Sequence, residues 1–190
     1  MKREDSKFMK WGQYNEATIA HFVAWTLKCS TKEGKKTYGG RLSNYSKNIL
    51  LFLLFGKKVL KDSDNYLVSD VKVRREWKHI DILAEIILNG NKKYVLCIEL
   101  QNYSHTNENQ LKSCKPAFDG YYENKDFQGK FVLLGVWKGA VPEIDKSLCK
   151  QYGFRALTFQ DILDEVFLKN EGTFESSDNQ LFDEFWTGRW

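Results

Sequence analysis

The feature that most constrains this chain is a hairpin signature near its middle. Ile80–Leu88 and Tyr94–Gln101 are two runs of strand-forming residues, separated by a turn at Asn89-Gly90-Asn91. Strand side chains alternate between faces. In the first run Ile80, Ile82, Ala84, Ile86 and Leu88 share one face, and Asp81, Leu83, Glu85 and Ile87 the other. In the second, Tyr94, Leu96, Ile98 and Leu100 share one face, and Val95, Cys97, Glu99 and Gln101 the other. A loop of Asn89–Asn91 sets Leu88 against Lys92, and the same register sets Asp81 against Glu99. Directly opposed side chains lie roughly 5 Å apart. A slip of one residue would put the two acids on opposite faces. Adjacent carboxylates repel unless they share a proton or a cation. A hard divalent ion such as Mg²⁺ takes oxygen ligands, and two carboxylates with a backbone carbonyl suit it. An ordinary hairpin with acids near its solvated ends satisfies the same pattern.

Around the hairpin the periodicity places other elements. A helix is predicted to start near Asn15, an acceptable N-cap, with Ala20, Val23 and Leu27 on its buried face. Glu16 falls on that same stripe, where an acid suits a helix N-terminus. Residues 30–41, rich in Gly, Lys and Thr, read as a loop, and Asn44–Phe55 as a buried helix ending at Gly56. Tyr66–Arg75 is a first strand. Thr106–Tyr122 reads as a helix interrupted or kinked at Pro116. Phe131–Trp137 is a strand buried on both faces, Phe154–Thr158 a short strand, and Phe159–Leu168 a helix. Residues 171–190 form a polar link and an aromatic tail. Interleaved strands and helices with a central hairpin imply an α/β fold, a mixed central β-sheet flanked by helices.

Charge is unevenly spread. Residues 1–100 hold 19 Lys/Arg against 11 Asp/Glu, and residues 101–190 hold 10 against 14. A basic half suits a polyanion, and a solvated lysine-rich face suits it equally. The densest basic run, Lys72, Arg74, Arg75 and Lys78, is the candidate nucleic-acid contact. Cys29, Cys97, Cys114 and Cys149 include no CxxC pair and read as reduced, mostly buried thiols. His21, His79 and His105 lack metal-ligand spacing, which disfavours zinc. The longest apolar run, Ile49–Phe55, is too short to span a bilayer, and the polar N-terminus carries no apolar signal region. A cytoplasmic protein with no membrane association is expected.

The order of these motifs resembles the PD-(D/E)xK nuclease superfamily, in a variant with E-x-Q in place of E-x-K. Ile80-Asp81-Ile82-Leu83, the hairpin, and Ile98-Glu99-Leu100-Gln101 look like its signature. Gln110-Leu111 with Tyr121-Tyr122 resembles the QL…Y helix of one branch. Glu16 in the first helix, Phe131–Leu134, and Leu157-Thr158-Phe159 with Ile162-Leu163 match the flanking elements. The resemblance covers roughly residues 14–168. It implies a restriction-endonuclease-like core over residues 1–170, with 171–190 as a separate aromatic tail.

The resemblance also implies roles. Asp81 and Glu99 would ligate Mg²⁺ or Mn²⁺, with the Leu100 carbonyl as a third oxygen and Glu16 as an additional ligand or one acting through water. Gln110 would position a water or a substrate phosphate, and Tyr122 would line the cleft or serve as a core aromatic. Gln101 stands where lysine is usual. It can orient a water but carries no charge, so Lys112, beside Gln110, is the candidate substitute cation. Glu76 is a further acid within reach of Asp81. The implied activity is metal-dependent hydrolysis of DNA phosphodiester bonds, double-stranded DNA being the expected substrate, by in-line attack of an activated water. The alternative is a catalytically degenerate relative that binds nucleic acid or a protein partner. The tail residues Phe182, Phe185, Trp186 and Trp190 would serve docking on the domain, on a partner or in a homodimer.

Overall fold

The computed structural model describes residues 15–102, 106–137, 140–168 and 174–187. The polar lead-in, His105, the start of the tail and Trp190 lie outside the described residues. A five-stranded sheet runs in the order β1-β2-β3-β4-β5. β1 (Val68–Trp77), β2 (Ile80–Leu88) and β3 (Lys92–Asn102) form an antiparallel meander. β4 (Gln128–Val136) and β5 (Arg155–Thr158) then add in parallel. This is the mixed sheet with flanking helices that the alternation of elements implies.

Both turns of the meander use backbone that L-residues seldom adopt. Lys78 and His79 have φ of 48° and 70°, and Asn89 and Gly90 have φ of 51° and 80°. Left-handed turns match the twist of paired strands, which is why an Asn-Gly pair sits at the second. Asn89 also fastens that turn to the start of β1, its Oδ1 accepting from the Leu67 N–H at 2.7 Å. Leu88 pairs with Lys92, the register expected from the loop length.

Helices cover both faces. On one side α1 (Glu16–Cys29) and α3 (Gly40–Phe55) pack on Ile82, Ala84, Ile86, Leu96 and Ile98. On the other, α4 (Glu108–Tyr122) crosses from β3 to β4, and α5 (Glu143–Tyr152) from β4 to β5. Leu111, Cys114, Phe118 and Tyr122, spaced for one helical face, pack there with Leu83, Val95, Cys97 and Leu133. All four cysteines are free and buried. Among the described residues no helix is long and apolar enough to cross a membrane.

Three expectations change. The segment 30–41 contains α2 (Lys32–Tyr38), capped by Thr31, whose Oγ1 accepts from the Gly34 N–H at 3.1 Å. Gly34 packs so close to α1 that a Cβ would stand 2.3 Å from the Cys29 carbonyl oxygen, so its glycine serves helix packing and not a loop. α4 continues through Pro116, which is exposed. Residues 138–153, unassigned from the pattern, contain α5, whose start signals are Pro142 followed by Glu143 and Asp145 in the first turn.

Near the C-terminus α6 (Phe159–Ile162) opens on a capping box between Thr158 and Asp161 and passes into a π turn, Leu163–Phe167. α7 (Gln180–Thr187) then buries Phe182, Phe185 and Trp186 in the same layer as α1 and α3. The Trp186 Nε1–H donates to Thr26 Oγ1 at 2.9 Å. Those aromatic residues thus dock on this chain's own core. Trp186 is fully buried. Trp186→Ala should lower unfolding free energy by about 3–5 kcal/mol, read by urea denaturation. A change within error would mean that α7 packs elsewhere in solution.

Candidate active site

β2 and β3 bring the predicted acids together. Their ladder runs to Ile82 paired with Ile98, and one further step sets Asp81 across from Glu99. β1 extends the row, because Arg75 pairs with Ile82 and Trp77 with Ile80, which leaves Glu76 opposite Asp81. Alternation points Asp81, Glu99 and Gln101 to the α4 face of the sheet, whereas Glu76, exposed and with a φ of 54°, breaks the alternation of β1 and is set beside Asp81 by the strand pairing alone. α1 contributes a fourth carboxylate across the sheet end. Asn15 caps that helix, its Oδ1 accepting from the Thr18 N–H at 2.9 Å, and this fixes where Glu16 projects. Glu16 stands close enough that the Asp81 charge raises its affinity for a proton and its own charge raises that of Glu99.

Burial separates the members. Glu99 is 2% exposed and Gln101 6%. Asp81 is half-buried, and its Oδ2 accepts from the Leu100 N–H at 2.8 Å. That bond ties the acid of β2 to the strand carrying Glu99. Glu99 Oε1 accepts from the Cys114 thiol at 2.9 Å, and its Oε2 is buried and receives no hydrogen bond among the described residues. Trp137 folds over Gly135, the β4 partner of Gln101, and forms the wall beside it.

The electrostatics follow from crowding. Burial pushes the Glu99 carboxyl up to about 8; the Cys114 thiol opposes this, and the Asp81 charge, a hydrogen bond from protonated Glu99 to Asp81 and the Glu16 charge add to it. Asp81 is raised by burial against the pull of the Leu100 N–H and of that bond with Glu99, with Glu76 raising it further. Glu16 is raised by burial and by Asp81, while the Asn102 N–H holds it down. The Cys114 thiol is driven up by burial and by Glu99, so it stays protonated and donates.

This donor set fits a hard divalent cation. It is all oxygen, it carries mutually repelling carboxylates, and it includes an orphaned buried oxygen. Among the described residues no three His, Cys, Asp or Glu side chains form a ready-made metal cage. An ion held here would therefore draw on Asp81 and Glu99 together with backbone and water oxygens.

Other expected members are dispersed. Gln110 is half-buried one turn before Cys114, so it lies at the Glu99 side of α4. Lys112 is exposed, beside a helix face whose buried positions are Leu111 and Cys114. Tyr122 is a core aromatic, and its hydroxyl donates to Glu85 at 2.7 Å, four residues along β2 from Asp81. The basic run of β1 is split by alternation. Lys72 and Arg74 share the face of Asp81, and Arg75 faces the α1 side. Lys78 lies in the hairpin turn, over the Trp77 ring. Sequence reasoning missed Cys114. Its spacing from Leu111 and Phe118 marked the buried face, but nothing in the sequence marked it as the donor to Glu99.

The raised Glu99 carboxyl makes stability depend on pH. The folded chain holds this proton more tightly than the unfolded chain, whose carboxyl titrates near 4.5. Its contribution is full below that value and is lost as pH rises through about 8. In the presence of a chelator, Tm should fall between pH 4.5 and 8, and Glu99→Gln should flatten the fall. Equal slopes for both proteins in thermal melts would contradict this assignment.

Comparison with known families gives one result. The sequence pattern of the PD-(D/E)XK nuclease superfamily matches residues 7–172. No curated protein and no solved structure matches the chain. The family match spans most of the sequence, and the mixed five-stranded sheet with flanking helices agrees with it. The chain belongs to the PD-(D/E)XK nuclease superfamily.

Proposed function

We propose that this protein is a metal-dependent deoxyribonuclease, cutting phosphodiester bonds of double-stranded DNA at the carboxylate row of β1–β3. The observation that carries the reading is Glu99, a buried carboxylate placed opposite Asp81 with one oxygen that receives no hydrogen bond among the described residues. Superfamily membership supports nuclease chemistry, and the donor set favours Mg²⁺ or Mn²⁺.

Asp81 and Glu99 would hold the ion, with the Leu100 carbonyl as a third oxygen and Glu16 alongside. A divalent cation there supplies Lewis acidity toward the scissile phosphate and makes water a stronger nucleophile. The chain's own residues do the positioning. Leu100 N–H and Cys114 Sγ–H each fix one carboxylate, so both present their remaining oxygens in a set geometry. Gln101, buried on the same face, orients the attacking water through its amide. Gln110 reaches the same end of the site from α4 and orients water or phosphate. Because Gln101 is uncharged, charge developing on the phosphate is met by the ion and by cations from other elements. Lys112 would supply one by reaching over from the exposed side of α4.

Gln101 also motivates the second reading, a degenerate relative that binds nucleic acid or protein without cutting. Cleavage of supercoiled and linear DNA with Mg²⁺ or Mn²⁺ separates the two. Asp81→Ala and Glu99→Ala should each lower the rate roughly a hundredfold or more, the scale of losing one preorganised electrostatic contact. Mg²⁺ should raise the Tm of the unaltered chain and not that of the double variant. Full cleavage by both variants would end the proposal. Absent cleavage together with absent metal stabilisation would transfer it to the degenerate reading.

A further inference from the structure

Beside the carboxylate row, cations collect around two partly exposed rings. Trp77, at the end of β1, meets Tyr121 of α4 edge-on, with centroids 5.1 Å apart. Lys125 Nζ lies 3.4 Å from the Tyr121 centroid. Lys78 Nζ lies 5.1 Å from the Trp77 ring and 5.6 Å from Tyr121, and the Arg74 guanidinium 5.9 Å from Tyr121. A hydrogen bond from Arg74 and the charge of Lys125 hold the Tyr121 hydroxyl below the usual tyrosine range. All three cations are exposed. Lys78 and Lys125 form no ion pair among the described residues. Arg74 meets Glu85 at 3.5 Å, but that carboxylate already accepts from Tyr122 at 2.7 Å. Three cations, one from β1, one from the turn after it and one just past α4, thus converge, and Arg74 alone of them is ion-paired among the described residues, to Glu85.

We propose that Arg74, Lys78 and Lys125, seated on Trp77 and Tyr121, form a phosphate clamp that holds the DNA strand leading to the carboxylate row. The inference rests on the nucleic-acid reading above and adds a binding site to it. Arg74 pairs with Leu83, which shares a face of β2 with Asp81 two residues away, so Arg74 stands about 7 Å of strand from the acids. A strand gripped there passes the row within a nucleotide or two. The rings have a mechanical role. A lysine on open surface loses rotamer freedom when it binds, and a ring face that already holds the ammonium lowers that loss. A polyanion is the fitting occupant, because three exposed cations gathered around one paired acid leave net positive charge that recruits phosphate, and each contact adds to the salt dependence of binding.

The test is binding of a short labelled DNA duplex to the full chain in a chelator, measured by fluorescence anisotropy over a salt series. The variant R74Q/K78Q/K125Q is compared with K32Q/K35Q/K36Q, which removes equal charge from α2. The clamp variant should bind roughly tenfold or more weakly, with the salt slope reduced by about one for each cation lost. The α2 variant should change much less. Equal weakening by both variants, or no weakening by the clamp variant, would overturn the proposal. Metal-supported cleavage by the unaltered chain is scored separately. Loss of binding in the clamp variant without any cleavage by the parent would leave the clamp standing and remove the nuclease reading.

Discussion

Everything around the candidate site depends on one unfavourable contact, the placement of Glu99 against Asp81 inside a sheet. Burial in a sheet is ordinarily reserved for apolar side chains, and two carboxylates ionised together there would repel in a medium that screens poorly. The surrounding structure offsets this by keeping a proton on Glu99, which bonds to Asp81. The Leu100 N–H holds Asp81, the Cys114 thiol holds Glu99, and one Glu99 oxygen receives no hydrogen bond among the described residues. The meander supports the contact through its two left-handed turns, which fix a register that a single-residue slip would destroy.

The two apolar layers then act as clamps on that register. Ile82, Ala84 and Ile98 are held by α1 and α3 on one side, and Leu83 and Cys97 by α4 on the other. A slip of β2 against β3 would exchange both sets at once, exposing one and burying the acids in the other. Packing far from the acids therefore protects their geometry. The aromatic layer of α7 belongs to this support: it backs α1, and α1 presents Glu16.

Much of this was legible in the sequence, for identifiable reasons. Asn89-Gly90 admits a left-handed turn, and once the turn is set, alternation and loop length fix the facing of Asp81, Glu99 and Gln101. The α1 cap at Asn15 and the stop at Gly56 were likewise local signals with local causes. What escaped were features decided by distance in sequence. Gly34 looks like a loop residue until the Cys29 carbonyl beside it is seen. Cys114 is one apolar position among several until α4 is laid across β3. The basic run of β1 reads as one patch until pleating turns Arg75 away and α4 brings Lys125 in.

The absence of lysine at position 101 recasts the site's charge. With a lysine there, a buried ammonium would stand near the carboxylates and lower their affinity for protons. With Gln101, no such counter-charge exists on β3, and the Glu99 carboxyl rises to about 8. Proton and divalent cation become direct competitors for the same carboxylates, since either relieves the same repulsion. In the proposed reaction that competition ties the assembly of the site to metal supply more tightly than a built-in lysine would. Positive charge for the substrate would then come from outside the sheet centre, and the exposed cations beside Trp77 and Tyr121 are one group of that sign beside the site.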